Sequence, residues 1–91
     1  MRCYAESVDV HRQDTTPDQF LWRGRLYVVR EVLAHWLEAG GWWRRPAGGV
    51  DDGEREFWRV EAGCGRDSPA GVYDLCFDWS RAAWTVARVL D

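Results

Sequence analysis

The alternation of apolar and polar positions is mostly that of short strands. In residues 5–10, AESVDV, Val8 and Val10 share one face while Ser7 and Asp9 share the other, which predicts a half-buried strand. Residues 11–18, HRQDTTPD, are polar and carry a proline, so they read as a loop. Phe20-Leu21-Trp22 and Leu26-Tyr27-Val28-Val29 then flank Arg23-Gly24-Arg25, and two β-rich runs about a glycine-centred connector predict a tight hairpin. Over 55–62, Trp58, Val60 and Ala62 fall on one face, with Phe57, Arg59 and Glu61 on the other. Over 72–77, Tyr73, Leu75 and Phe77 fall together, and Cys76 is out of phase with them, a semi-buried small residue. Asp78 to Arg81 turn the chain and residues 83–90 return it, which predicts a second hairpin. Residues 44–53, RRPAGGVDDG, and 63–70, GCGRDSPA, read as loops.

Residues 30–38, REVLAHWLE, fit two patterns. Val32, Leu33, Trp36 and Leu37 make a helical stripe with Gly40 placed as its terminator, yet Val32, Ala34 and Trp36 also alternate with Leu33, His35 and Leu37. Nine residues are few for a helix, so an extended, bent strand is favoured, and a short helix at 31–38 stays open. The total is five or six short strands with turns every 8–12 residues. This is the pattern of an all-β domain, a small antiparallel curled sheet or SH3-like barrel, or of an α+β fold if 31–38 is helical. Closure would hide strand edges that so small a sheet cannot otherwise cover.

At 91 residues the chain makes a single domain, 1–91. That length excludes a cofactor-bearing enzyme with its own substrate domain and leaves no room for a deep cleft. Hydrophobic residues at 46% and charged ones at 30% describe a globular chain. A net charge of −3 argues against a dedicated duplex-DNA binder, although residues 1–46 carry +1 and residues 47–91 carry −4. All 12 basic residues are arginine, which fits GC-rich coding better than a chemical demand. Cys3, Cys64 and Cys76 are an odd set without a CxxC pair, and MRCYAESVDV lacks the apolar core of an export signal. No apolar run spans a bilayer. These features predict a reduced, cytoplasmic protein without a membrane partner.

Tryptophan changes the picture more than charge does. Seven of the 13 aromatics are Trp, and a short chain needs such large side chains in its core. Trp22, Trp36, Trp58 and Trp84 sit inside β runs and are expected there, whereas Trp79 falls at a turn. Trp42 and Trp43 are adjacent, so on a strand they point to opposite faces and at most one enters a single core. Arg44 and Arg45 follow directly. An aromatic beside arginine anchors protein contacts or stacks on unpaired bases. Arg23 and Arg25 at the hairpin tip, with Arg30 beyond, have the same ambiguity. The candidate interaction surface is therefore Arg23, Arg25, Trp42, Trp43, Arg44 and Arg45.

Catalytic and metal chemistry find less support. Cys3, His11, His35, Cys64 and Cys76 lack structural-zinc spacing. Cys64 between two glycines, with a distant His, sketches a nucleophile and base, but activation needs a demonstrable charged neighbour and an inert turn cysteine is favoured. Gly40-Gly41 and Gly48-Gly49 lack the Lys-Ser/Thr of a phosphate loop. Asp51, Asp52, Glu54 and Glu56 read as a solvated loop. No catalytic residue, metal or cofactor is expected.

FLWRGRLYVV (20–29), Trp36, Trp42-Trp43, FWRVEAG (57–63), VYDL (72–75), Asp78 and Trp84 together resemble an uncharacterised small-domain family of high-GC Gram-positive bacteria. A weaker similarity reaches the C-terminal tail of the catalytically inactive Y-family polymerase homologue of the mutagenic translesion system. There a WW pair precedes an aromatic–aromatic–Arg–Val–Glu strand, a short strand ending in an acidic turn, and a Trp strand. That tail is thought to contact partner proteins, including an error-prone replicative-type polymerase. The resemblance implies a binding module in DNA repair or damage tolerance, with the WW pair at Trp42-Trp43 and the strand at Phe57 to Glu61. This chain has no polymerase-like domains and no identifiable clamp-binding peptide. The expected function is a non-enzymatic protein-interaction module with translesion machinery among its partners; a single-stranded nucleic-acid-binding barrel is the alternative.

Overall fold

Seven strands in one antiparallel sheet carry the chain in a computed structural model that describes residues 2–38, 54–65 and 69–90. They are β1 (Arg2–Ser7), β2 (Asp9–Gln13), β3 (Thr16–Trp22), β4 (Arg25–Glu38), β5 (Arg55–Gly63), β6 (Gly71–Asp78) and β7 (Ala83–Leu90). The spatial order is β1-β7-β6-β5-β4-β3-β2, so β1 and β2, consecutive in sequence, lie at opposite edges. The sheet therefore curls until one segment, residues 2–13, supplies both edges. Val8 interrupts that segment, its N–H donating to the Trp84 carbonyl at 3.2 Å while its side chain enters the core.

The all-β expectation holds. The strand number is seven rather than five or six, because residues 2–13 break at Val8 and because residues 11–18 are not a loop. His11 to Gln13 pair with β3, and the turn is only Asp14-Thr15, with Asp14 at φ 60°. Their polarity misleads because these residues are exposed on an edge strand, where backbone pairing needs no apolar side chain. Residues 31–38 belong to β4 and not to a helix. Pairing with β5 skips at Val29/Glu31 and at Val32/Ala34, so Arg30 and Leu33 are bulge residues. Each bulge shifts the alternation by one and bends the strand, which is why the apolar spacing also imitates a helix.

The inner face of the curl holds the core: Val8, Phe20, Trp22, Trp58, Val60, Ala62, Leu75, Phe77 and Val86. Aromatic rings fill it from both ends. Phe20 stacks on Tyr27 at 5.0 Å with Tyr73 edge-on at 5.5 Å, while Trp84 packs on Trp58 at 5.2 Å and on Phe77 at 5.0 Å. Trp22 and Trp58 are thus core residues and Trp84 is packed against them. Trp36 departs from expectation: it lies on the outer face, stacked on Phe57 at 5.2 Å and 3°.

Candidate functional site

The hairpin between β3 and β4 forms as the sequence predicts. Trp22 pairs with Arg25, so Arg23-Gly24 is the loop, and both residues take positive φ, 53° and 77°. This is the geometry a two-residue hairpin turn needs, and Gly24 adopts it without steric cost. Arg23 folds back on its own domain. Its Nε donates to Glu6 Oε1 at 2.9 Å, its Nη2 pairs with Glu6 Oε2, and its guanidinium lies 4.6 Å over the Trp22 ring. The Trp22 indole N–H donates to the same carboxylate at 3.2 Å. The Arg23 hydrogen bond, aided by its charge and by Trp22, holds the Glu6 carboxyl below its ordinary range against the opposing effect of desolvation. Arg23 therefore braces the hairpin against β1, while Arg25 is exposed.

Leu21 and Leu26 stand directly opposite each other on the outer side of this hairpin, and Val28 follows on β4. Their exposures are 43%, 51% and 45%. Three neighbouring aliphatic side chains are thus in water beside the arginine tip. Arg30 is not part of this group, because its Nη2 donates to the Gly65 carbonyl at 2.8 Å.

Trp42, Trp43, Arg44 and Arg45 lie outside the described residues. The strand ends that flank them are described. Glu38 pairs with Arg55, and the Trp79 N–H donates to the Glu54 carbonyl at 3.1 Å. Trp79 caps this end with its ring edge-on to Phe77 at 4.9 Å and its indole N–H on Glu56 at 3.2 Å. His35 bonds the other Glu56 oxygen at 2.5 Å and stacks on Trp58 at 4.6 Å. Arg25 and Glu38 are opposite ends of a 14-residue strand, on the order of 40 Å apart along the chain.

A third constellation has no counterpart among the sequence candidates. Asp74 is fully buried although it points to the outer face. Arg59 clamps it with two bonds, Nε at 2.8 Å and Nη2 at 2.9 Å, and Arg88 Nε reaches it at 3.0 Å. The bonds to Asp74 raise the Arg59 guanidinium above its ordinary value. Arg59 also lies 5.4 Å over Trp36, and Arg88 lies 6.0 Å over Phe57. The sequence signals it only as a lone carboxylate inside VYDLCF, and the strand register sets that residue opposite Arg59.

Several other titratable groups have structural partners. His11 pairs with Asp18 at 2.7 Å. Cys76 is a free thiol, and burial, the largest effect, raises it above its ordinary value. Burial and a bond involving Cys64 push the Tyr27 phenol up to about 12. Among the described residues, no three His, Cys, Asp or Glu side chains gather where a metal ion would be held.

With this geometry in view, comparison with known families is decisive at one level. The family model for a domain of unknown function, DUF6504, matches residues 1–91. The chain belongs to that family. No curated protein and no solved structure matches it. Family membership thus covers the whole curled sheet, from the β1 edge through the Asp74 cluster to β7. No helix among the described residues is long and apolar enough to cross a membrane.

Proposed function

We propose that this chain is a non-enzymatic protein-interaction module that binds through the outer side of the β3–β4 hairpin. The observation that carries the reading is the exposed trio Leu21, Leu26 and Val28 beside Arg25. Leu21 and Leu26 form a cross-strand pair on a regular two-residue hairpin, so the patch is held rigidly and a partner orders little on binding it. These side chains are already about half covered, so burying the rest contributes about 1 kcal/mol each. The exposed Arg25 adds preference for an acidic rim on the partner. The buried free thiol of Cys76 supports a cytoplasmic location as part of this proposal. Its similarity to the translesion polymerase homologue's tail makes damage-tolerance proteins the first partners to test.

The engagement of Arg23 by Glu6 and Trp22 weighs against the nucleic-acid alternative, which needs that cation at a phosphate. One observation favours the alternative: Trp79 is 54% exposed and offers a ring face for base stacking. One experiment separates the two. Translesion proteins and a fluorescent oligothymidylate are each titrated onto wild type, Leu21→Ser/Leu26→Ser and Trp79→Ala. The proposal expects protein binding that is lost in the serine variant and kept in Trp79→Ala. Oligonucleotide binding that falls steeply with salt and is lost in Trp79→Ala, with protein binding absent, would overturn it.

A further inference from the structure

On the outer face of the sheet, away from the β3–β4 hairpin, a groove of about 350 Å³ crosses the strands. Its floor follows one cross-strand row: Ser7 pairs with Thr85, Thr85 with Cys76, and Cys76 with Phe57. Three of these four side chains are small, and Ala83 and Ala87 widen the groove beside them. A sheet face becomes concave where small residues sit between large ones. Here the large neighbours are arginines. Arg55 and Arg81 line one side, and Arg88 reaches over Phe57 from the other.

The acids near the groove already have partners. Asp78 accepts from the Ser80 N–H at 3.0 Å, from the Ser80 hydroxyl at 2.7 Å and from the Arg81 N–H at 3.3 Å, while Arg55 approaches only to 3.8 Å. Asp74 is enclosed by Arg59 and Arg88, and Glu38, opposite Arg55, accepts from the Trp36 indole. Arg81 makes no ion pair among the described residues. Among the described residues, five charged groups other than the closed Asp74–Arg59 pair therefore surround the groove: Arg55, Arg81 and Arg88 against Asp78 and Glu38. This is a net positive strip on a chain whose total charge is −3.

We infer that this groove binds an acidic peptide segment of a partner protein, with carboxylates at Arg55 and Arg81 and small side chains over Thr85 and Cys76. Charge complementarity points to an anionic occupant. The aromatic surfaces point to peptide rather than nucleic acid. Phe57 is buried beneath Trp36 and Arg88, so among the described residues no free ring lies in the groove for a base to stack on. The Ser7 hydroxyl supplies a donor for the peptide backbone, and the Thr85 hydroxyl, bonded to Cys76, keeps its acceptor capacity. The surface is separate from the β3–β4 patch and stands or falls independently of it.

The test uses the full chain and three probes: a glycine-spaced glutamate peptide, its lysine counterpart and oligothymidylate. Amide chemical-shift mapping follows each titration. The expected result is saturable shifts confined to residues 76, 83–87 and 55–57 with the glutamate peptide, and none with the lysine peptide. Arg55→Gln/Arg81→Gln is expected to weaken binding about fivefold or more, as for two exposed charge pairs. Ala83→Glu, which places a like charge at the groove's edge, is expected to weaken it further. Thermal unfolding of each variant confirms an intact fold. Absence of glutamate-peptide shifts at these amides, equal binding by Arg55→Gln/Arg81→Gln, or stronger binding of oligothymidylate at the same amides would overturn the assignment.

Discussion

The two faces of strands β5 and β6 bury neighbouring residues by different physics. On the inner face, Trp58, Val60, Leu75 and Phe77 meet other apolar side chains, and removal from water stabilises them without directional demands. On the outer face, Phe57, Asp74 and Cys76 are equally hidden, but no second layer of strands covers them among the described residues. Side chains of the sheet itself do so: Trp36 lies flat on Phe57, and Arg59 and Arg88 close over Asp74. Hence Asp74, Leu75, Cys76 and Phe77 are four consecutive buried residues in a strand that is two-sided. A sheet this small gains a second packed layer by laying long side chains along its surface. That layer depends on charge and geometry, and the inner one on volume.

The largest effect separating the faces belongs to the inner one. Trp58→Ala removes a side chain only 4% exposed, against which Trp84 and His35 both pack. A loss of about 3–5 kcal/mol is expected in denaturant unfolding. Trp36→Ala, one strand away on the outer face, removes a half-buried ring and is expected to lose about 1 kcal/mol beyond its smaller area. Comparable losses at the two tryptophans would break the distinction.

Asp74→Ala comes next. It leaves two guanidinium groups without their shared carboxylate, and breaking a buried pair costs about 3–5 kcal/mol when both ions are buried. The Arg59 and Arg88 side chains are 34% and 30% exposed, so water solvates them in part and about 2 kcal/mol is expected. The comparison sharpens with Asp74→Leu in an Arg59→Leu background. If the outer layer acts through charge pairing, that apolar pair recovers most of the loss of the single variant, and urea unfolding measures the recovery.

This division also explains what the sequence reveals. Inner-face residues are legible because alternation reports burial against a common apolar core: Trp58, Val60 and Ala62 share a face, as do Tyr73, Leu75 and Phe77. The Arg23-Gly24 turn is legible because a two-residue loop between β runs has few solutions. The outer layer is not. Trp36 alternates in sequence with Val32, which pairs with core Val60, and the single bulge at Leu33 between them turns Trp36 to the opposite face. The Asp74 cluster joins residues 59, 74 and 88, three strands whose pairing register composition cannot supply. Arg23 shows the same limit, since its partner Glu6 lies 17 residues away across the curl.

The smallest effect concerns pH and again falls on the outer face. Asp78 ends β6, and its carboxyl is held below its ordinary range chiefly by the Ser80 hydroxyl, then by the Ser80 and Arg81 N–H groups, against the cost of desolvation. A carboxyl with a depressed folded-state pKa binds protons more weakly folded than unfolded. Its contribution is present above the ordinary carboxylate value of about 4 and is lost as pH falls through the lower folded value. Glu6, bonded by Arg23, acts in the same direction. Stability is therefore expected to hold from neutral pH to about 5 and to decline below about 4. Asp78→Asn lowers stability at neutral pH and flattens the acid decline, because the group that must be protonated is gone. Ser80→Ala has the same sign and a smaller size, since the two N–H donors remain. The Trp58→Ala variant should shift the whole curve downward without changing its slope, because Asp78 and Glu6, whose carboxyls are held below their ordinary range, are bonded by Ser80, Arg81, Arg23 and Trp22 and not by Trp58. An acid slope that changes in Trp58→Ala and not in Asp78→Asn would show that the titrating contribution belongs to the inner face.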